Sequence, residues 1–321
     1  MFSEGHEQKS FKAVLLSLSK KMKVAFSPIY RYSLLPDGHR FPMDKYDLLP
    51  QQLLHDGTLS QENFFHPEPL SEEQILRTHT QGYWDKLKYG TLSRHEIRAM
   101  GFPYHEKLIF RGRHISMGTL QCFDHALQDG VSLNVAGGTH HAYADRGEGF
   151  CIFNDFAIAS NELLYTERVD QILIIDLDVH QGNGTAKIFE MEPRVFTFSV
   201  HGEHNYPLKK ERSDLDIGVP DGIEDKAYLE IIRERIPEVI DRVKPDVIFY
   251  LSGVDVLASD KLGRLGMTKA GCKERDRIVM EYAYKNGIPL VISMGGGYSP
   301  QIGDIIDAHA NTFRVAKETY F

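Results

Sequence analysis

Cysteine is scarce in this chain, and long apolar runs are missing from it. The three cysteines, Cys122, Cys151 and Cys272, are odd in number, far apart and without the close pairing of a zinc finger. They argue against a disulfide framework and a structural zinc, and they read as reduced thiols in a cytoplasmic protein. No segment approaches the roughly 20 apolar residues of a membrane-crossing helix. The short apolar patch from Val14 to Leu18 lacks the full hydrophobic region and small-residue cleavage site of a secretory leader. Basic charge is not in excess either: 37 Lys and Arg stand against 45 Asp and Glu, a formal net charge of -8. Direct binding to nucleic acid or to an anionic membrane is therefore not expected. Internal repeats, low-complexity tracts and clear linkers are also missing. What remains is a chain of 321 residues, 42% of them hydrophobic, long enough for one large α/β domain. Composition is silent on oligomeric state.

Residues 1–21 read as a flexible N-terminal extension and 22–321 as a single domain, because the first strand-like run, Lys23-Val-Ala-Phe-Ser, begins only after Met22. Pro, Gly, His and Arg crowd the stretch from Pro36 to Met43, which marks a loop that can pass over a site. Ser71-Glu-Glu-Gln is a capping box and predicts a helix from Glu72 to about Tyr89. From residue 131 onward buried strands alternate with amphipathic helices, the pattern of a doubly wound parallel sheet flanked by helices. The strands expected are Val131 to Val135, Ile172 to Leu177, Val195 to Val200, Val247 to Leu251 and Leu290 to Ser293. Helical periodicity holds from Ala227 to Val243 despite Pro237. It holds again from Thr268 to Asn286, where Gly287 and Pro289 end the helix.

Four strand ends run into polar or glycine-rich sequence: Gly-Gly-Thr139-His140-His141, Asp176-Leu-Asp178-Val-His180, Ser252-Gly-Val-Asp255 and Met294-Gly-Gly-Gly-Tyr298. Open α/β sheets bind ligands at the carboxyl ends of their strands, so these four can converge on one crevice. Alternation along the second of them places Asp176, Asp178 and His180 on one face. Buried carboxylates beside an imidazole are costly unless a cation, a partner or water takes up the charge, and a divalent metal is the economical explanation. Asp178, His180 and Asp255 can supply three ligands to a catalytic zinc, leaving His140 and His141 for proton transfer. Taken singly these residues have plainer readings: a strand-end aspartate is most often a cap, a triple glycine a turn, and Tyr298 a packed aromatic. The combination of the four is what points to a site.

In order and spacing, Gly-Gly-Thr-His140-His141, Gly149-Phe150-Cys151-Ile-Phe-Asn154-Asp155, Asp176-Leu-Asp178-Val-His180-Gln-Gly and Gly-Gly-Gly-Tyr298 resemble the motifs of zinc-dependent histone deacetylases. That family shares a superfamily with acetylpolyamine amidohydrolases and arginases. The resemblance runs from about residue 22 to the C-terminus. His39-Arg40-Phe41-Pro42-Met43, Asn183 and the Gly263 to Gly266 stretch are most similar to class IV members.

The resemblance implies an arginase/deacetylase-like fold and hydrolysis of an acyl group, acetyl or longer, from a lysine side chain or a related amine. It implies one zinc on Asp178, His180 and Asp255, with Tyr298 donating to the substrate carbonyl and His140 and His141 acting on water and leaving amine. Gly149 and Phe150 would form one wall of a substrate tunnel and Tyr206 the facing wall. Asp176 would orient His140, and Asn183 would partner His141 where the family often carries an aspartate; that departure leaves the division of acid and base roles open. A structural potassium ion would sit among Asp176, Asp178, His180, Ser199 and Val200. Thr139 stands where a bulky aromatic is common, so a deeper acyl pocket is expected there unless neighbouring side chains fill the space. Three alternatives are an acetylpolyamine or small-molecule amide hydrolase, a dinuclear manganese hydrolase of arginase type, and a non-catalytic acyl-lysine binding protein.

Overall fold

A computed structural model describes residues 21–321, so the extension expected over residues 1–21 lies outside the described residues except for Lys21. Among the described residues eight strands are formed: β1 (Lys23–Ala25), β2 (Phe64–Phe65), β3 (Val131–Asn134), β4 (Ile172–Asp176), β5 (Val195–Gly202), β6 (Leu215–Val219), β7 (Val247–Leu251) and β8 (Leu290–Ser293). They make one sheet in the order β2-β1-β3-β8-β7-β4-β5-β6, with every pairing parallel. In the four central strands, β3, β8, β7 and β4, every residue is buried. That is why they appear in the sequence as unbroken apolar runs. Edge strand β6 alternates between half-buried and exposed positions up to the buried Val219, so its Leu-Asp-Ile-Gly-Val carries a much weaker signal.

Flanking the sheet, among the described residues, are ten α-helices: α1 (Lys45–His55), α2 (Glu72–Leu76), α3 (Gln81–Tyr89), α4 (Arg94–Met100), α5 (Glu106–Asp129), α6 (Asp155–Tyr165), α7 (Asn183–Phe189), α8 (Asp225–Val243), α9 (Lys269–Lys285) and α10 (Ile302–Tyr320). The sheet and these helices make a fold of the arginase/deacetylase type. Helix α5 lies against β1, β3 and β8, and α9 packs between α8 and α10. The helices expected from Ala227 and from Thr268 are present, and Thr268 caps α9 by accepting from Gly271 N–H. The single helix expected from Glu72 to Tyr89 is in fact two. Ser71 caps the first and Thr80 the second. Between them His79 is buried and its Nε2 accepts from Asn154 N–H at 3.1 Å, while Thr80 N–H donates to Ala144 C=O at 2.8 Å. These tertiary partners take the backbone out of the helix that the local pattern favoured. The loop from Pro36 to Met43 does reach the carboxyl end of the sheet, where the buried Phe41 ring lies 5.2 Å from Phe150 and 6.1 Å from Tyr298.

Candidate active site

Because the sheet is parallel, β3, β8, β7 and β4 all release their chains at one edge, and the histidine pair, the glycine triplet and the acidic strand ends meet there. After β3 the chain turns through Gly137 and Gly138, both at positive φ. A Cβ on Gly138 would lie 1.9 Å from Leu251 Cδ1, so only glycine lets the turn approach β7. Asp155, at the start of α6, holds the end of this turn: it accepts from the backbone N–H of Gly138 (3.1 Å) and Thr139 (2.7 Å) and from the hydroxyls of Thr139 and Thr119 (2.7 Å each). The Thr139 hydroxyl is thus spent on Asp155, and the backbone delivers His140 and His141 side by side, with ring centroids 4.1 Å apart.

One geometric expectation is corrected here. Strand β4 ends at Asp176, so Asp176, Asp178 and His180 do not share a strand face. Asp176 instead accepts from Asp178 N–H at 3.1 Å through Oδ1, and its Oδ2 bonds His140 Nδ1 at 2.6 Å. Asp178 and His180 sit in the loop beyond, where Asp178 Oδ1 accepts from His180 N–H at 2.9 Å. From the end of β7, Asp255 Oδ1 accepts from Val179 N–H at 3.0 Å.

One ligand atom each from Asp178, His180 and Asp255 lies within 4.8 Å of the others, and all three residues are buried. His180 Nδ1 is 3.0 Å from Asp178 Oδ1 and 3.2 Å from Asp255 Oδ2. Asp255 Oδ2 has no hydrogen-bond partner although it is fully buried. A buried, unpartnered carboxylate oxygen facing a second carboxylate and an imidazole fits a divalent cation, which satisfies all three at once. The protonation of the site shows the same demand for positive charge. Burial opposes a charged His180, yet the carboxylates of Asp178 and Asp255 beside it raise its pKa to about 10.

The two other histidines are pushed in opposite directions. Burial alone would lower His140, but the charges of Asp176 and Asp178 outweigh it and lift its pKa above the usual value. Burial, reinforced by the positive charge of His140 and His180, drives His141 well below it, against the hydrogen bond from its Nδ1 to Asn183 Oδ1 at 2.7 Å. A pair of acid/base groups with divergent pKa values is the usual mark of divided proton-transfer roles.

Tyr298 arrives from β8 through Gly295, Gly296 and Gly297, and its backbone N–H donates to Asp260 Oδ2 at 2.6 Å. Loss of surrounding water keeps its phenol protonated, far above the ordinary tyrosine value. Its ring faces Phe150 at 6.0 Å. Tyr206, half on the surface, stands across the opening with its ring 5.0 Å from His141 and 6.4 Å from His180. Together with Arg40, Gly149 and Leu262 these rings line an outer cavity of about 230 Å³ whose base is His141 and His180. Beneath it an inner cavity of about 40 Å³ is bounded by Thr139, Met294, Tyr46, Lys45 and Arg111. A larger groove of about 500 Å³ beside Trp84 and Phe110 lies apart from these groups. Of the residues named for potassium, Ser199 and Val200 are buried on β5, and the Ser199 hydroxyl contacts His201 Nδ1 at 2.9 Å.

Several residues of the site carry no sequence signal that singles them out. Lys45 donates to Gly296 C=O, and its Nζ lies 5.8 Å from the Tyr298 ring centroid. Arg275, wholly buried, donates to Leu177 C=O at 3.1 Å and Gly253 C=O at 2.6 Å, tying together the two loops that carry Asp178 and Asp255. Asp260 supports Tyr298, and Glu148 joins Tyr206 and Asn183. Each lies outside the quoted motifs or has partners distant in sequence.

The sheet and the group of buried acids and histidines at its edge define a class, the α/β hydrolytic proteins of the arginase/deacetylase fold. Residues 39–313 match the model of the histone deacetylase domain, and the chain belongs to that family. It is 40% identical to an uncharacterized protein of Picosynechococcus over 92% of this chain and 99% of that one. It is 31% identical to the acetoin utilization protein AcuC of Staphylococcus aureus, covering 88% of this chain and 78% of the relative. With histone deacetylase 2 of Arabidopsis thaliana the identity is 28%, over 89% and 77%. The solved HDA15 HD domain superposes with a TM-score of 0.78 at 19% identity, covering 93% of this chain and 88% of that one, a likeness of fold. No helix among the described residues is long and apolar enough to cross a membrane.

Proposed function

We propose that the protein is a zinc-dependent deacetylase whose substrate is an acylated lysine side chain, with residues 22–321 as its catalytic domain. The observation that carries the reading is the unpartnered Asp255 Oδ2 facing Asp178 and His180, the last of which also lines the aromatic-walled outer cavity. Asp178, His180 and Asp255 would hold the zinc. Bound there, zinc supplies Lewis-acid chemistry, polarising the scissile carbonyl and making water a better nucleophile at neutral pH.

The protein's own groups do the rest. Phe150 and Tyr206 flank the acyl-lysine stem and exclude water from it. Tyr298, held protonated, donates to the carbonyl oxygen as negative charge develops there. His141, kept neutral, takes a proton from the attacking water. His140, whose charge Asp176 stabilises, gives one to the departing amine. A potassium ion beside Asp176, Asp178, His180, Ser199 and Val200 would have a structural role. The inner cavity has room for about three water-sized spheres and a polar floor, which favours acetyl over longer acyl groups.

Acylated polyamines or other small amides present the same bond and form the second reading. A dinuclear manganese site is disfavoured because a Cβ on Gly253 would lie 2.6 Å from Asp178 Oδ2, and one on Gly182 2.4 Å from Asp176 Oδ2. Further acidic ligands have no room at either place. A non-catalytic acyl-lysine binder has no need of the paired histidines and their partners. The class IV likeness is compatible with the Asn183 contact to His141, and the absence of a membrane-spanning helix among the described residues is compatible with a cytoplasmic site of action. Hydrolysis of acetyl-lysine peptides, long-acyl peptides and acetylated polyamines, with zinc and with a chelator, tests the proposal. Zinc-dependent release of acetate from the peptides supports it, and no hydrolysis of any of them overturns it.

A further inference from the structure

The ring nitrogen of His141 that carries its proton is set by hydrogen bonds outside the motif residues. Asn183 lies between His141 and two further groups: its Oδ1 is 2.7 Å from His141 Nδ1, and its Nδ2 is 3.1 Å from both Glu148 Oε1 and the Tyr143 hydroxyl. An amide can be turned either way, with oxygen or nitrogen toward the imidazole. An ionised carboxylate only accepts, so Glu148 demands the NH₂ end of Asn183. The Tyr143 hydroxyl agrees, because it donates its own proton to Glu211 Oε1 at 3.1 Å and has only lone pairs left for Asn183. The amide oxygen must then face His141, which places the imidazole proton on Nδ1 and leaves Nε2 as a bare lone pair.

Glu148 is well fixed for such a task. Its backbone N–H donates to Cys151 C=O at 3.0 Å, and its C=O accepts from Cys151 N–H at 2.8 Å. The tight turn so closed carries Gly149 and Phe150 at positive φ and is bonded to Ala99 and Met100 C=O by their N–H groups. The same carboxylate accepts from the Tyr206 hydroxyl, so it also braces the far wall of the tunnel. A carboxylate absent from the position next to His141 is thus present one residue further out.

We infer that Glu148 is a positioning residue that fixes the Asn183 amide and, through it, the Nδ1–H tautomer of His141. The catalytic consequence rests on the reading of His141 as the proton acceptor in hydrolysis, whereas the tautomer itself does not.

The test is ¹⁵N NMR of the histidine rings in the full-length, zinc-loaded chain, with the His141 signals identified from their loss in His141→Ala. In the wild type the neutral ring is expected as a single Nδ1–H tautomer. In Glu148→Ala only the Tyr143 hydroxyl still holds the amide, and that hydroxyl can turn its proton from Glu211 to Asn183, so both tautomers are expected, with kcat on an acetyl-lysine peptide lowered roughly tenfold or more. Glu148→Gln, which keeps an acceptor oxygen in place, is expected to retain the wild-type spectrum. Tyr206→Phe, which frees only the wall, is expected to retain it as well. The deciding variant is Glu148→Ala/Asn183→Asp: a carboxylate beside His141 cannot turn to become a donor, so the single Nδ1–H form should return. An unchanged His141 spectrum in Glu148→Ala overturns the inference. So does a mixed spectrum that Asn183→Asp fails to restore, since the route would not pass through Asn183. A wild type that shows the Nδ1–H tautomer but hydrolyses none of the substrates overturns the proposed function and leaves the inference supported by its spectrum.

Discussion

Removing one oxygen from Tyr298 separates the two roles that a tyrosine at this place can have. Its ring lies 6.0 Å from Phe150 and 6.1 Å from Phe41, with Lys45 Nζ 5.8 Å from its centroid, and its backbone N–H is held by Asp260. Phenylalanine preserves every one of these contacts. The hydroxyl makes no hydrogen bond among the described residues, and it keeps its proton because loss of surrounding water drives its pKa upward. It is therefore a donor without an acceptor until a substrate carbonyl enters. Deleting one oxyanion donor costs roughly 10²–10³ in kcat, about 2.7–4 kcal/mol of transition-state stabilisation. Stability should change by less than about 1 kcal/mol, because no intramolecular hydrogen bond is lost. Steady-state kinetics of Tyr298→Phe on an acetyl-lysine peptide, paired with urea unfolding and zinc analysis, reads both quantities. A kcat within roughly threefold of wild type would show that Tyr298 only packs. A loss of activity matched by a loss of stability or of zinc would assign it a structural role.

Asn183→Asp is expected to move the acid limb of the pH–rate profile to higher pH. The sign comes from the carboxylate, which favours the imidazolium and raises the His141 pKa, so a base lost on protonation is lost sooner as pH falls. Beside Glu148 two carboxylates would share a proton, so the shift should be larger in the Glu148→Ala background, and an unmoved limb in both would sever Asn183 from the base. Arg275→Met should lower stability by about 3–5 kcal/mol in urea unfolding, since it leaves Asp276 buried without its cation and frees two carbonyls beside the ligand loops. A loss below about 1 kcal/mol would show that Tyr250 and Thr312, which donate to Asp276 at 2.5 Å and 2.7 Å, suffice. In competition, acetyl-lysine peptide should be hydrolysed in preference to octanoyl-lysine peptide, and the reverse order would mean that the small inner cavity opens when substrate binds.

The central strands could be read in advance because burial on both faces leaves an apolar run that little else produces, and the strand ends because polar residues directly after such runs stand out. Helix α5 was harder. Its inner face includes Arg111, His114, Ser116 and Thr119 as buried residues, and Gly112 and Gly118 make room for Phe153 and Tyr30. These blur the apolar stripe on which a helix is recognised. The Asp178, His180 and Asp255 cluster was legible as a motif, but the hydrogen bonds around it were not all so. The resemblance implied that Asp176 orients His140, but that Asp178 turns to His180 is decided by where β4 stops, and local pattern fixes such boundaries poorly. Lys45, Glu148 and Arg275 could not be found at all, since a lone charged residue reads as solvated surface until the fold buries it. Their partners lie far along the chain, Gly296 for Lys45 and Leu177 for Arg275.

Metal analysis coupled to activity tests the central claim most directly. The chain is stripped with a chelator, titrated with zinc, and assayed on an acetyl-lysine peptide at each step, alongside Asp178→Ala and Asp255→Ala. The account predicts that the wild type takes up one zinc per chain with activity returning in proportion, and that neither variant retains zinc or turnover, since each has lost one of three protein ligands. Full activity in the stripped wild type, or stoichiometric zinc held at wild-type affinity by both variants, would contradict it.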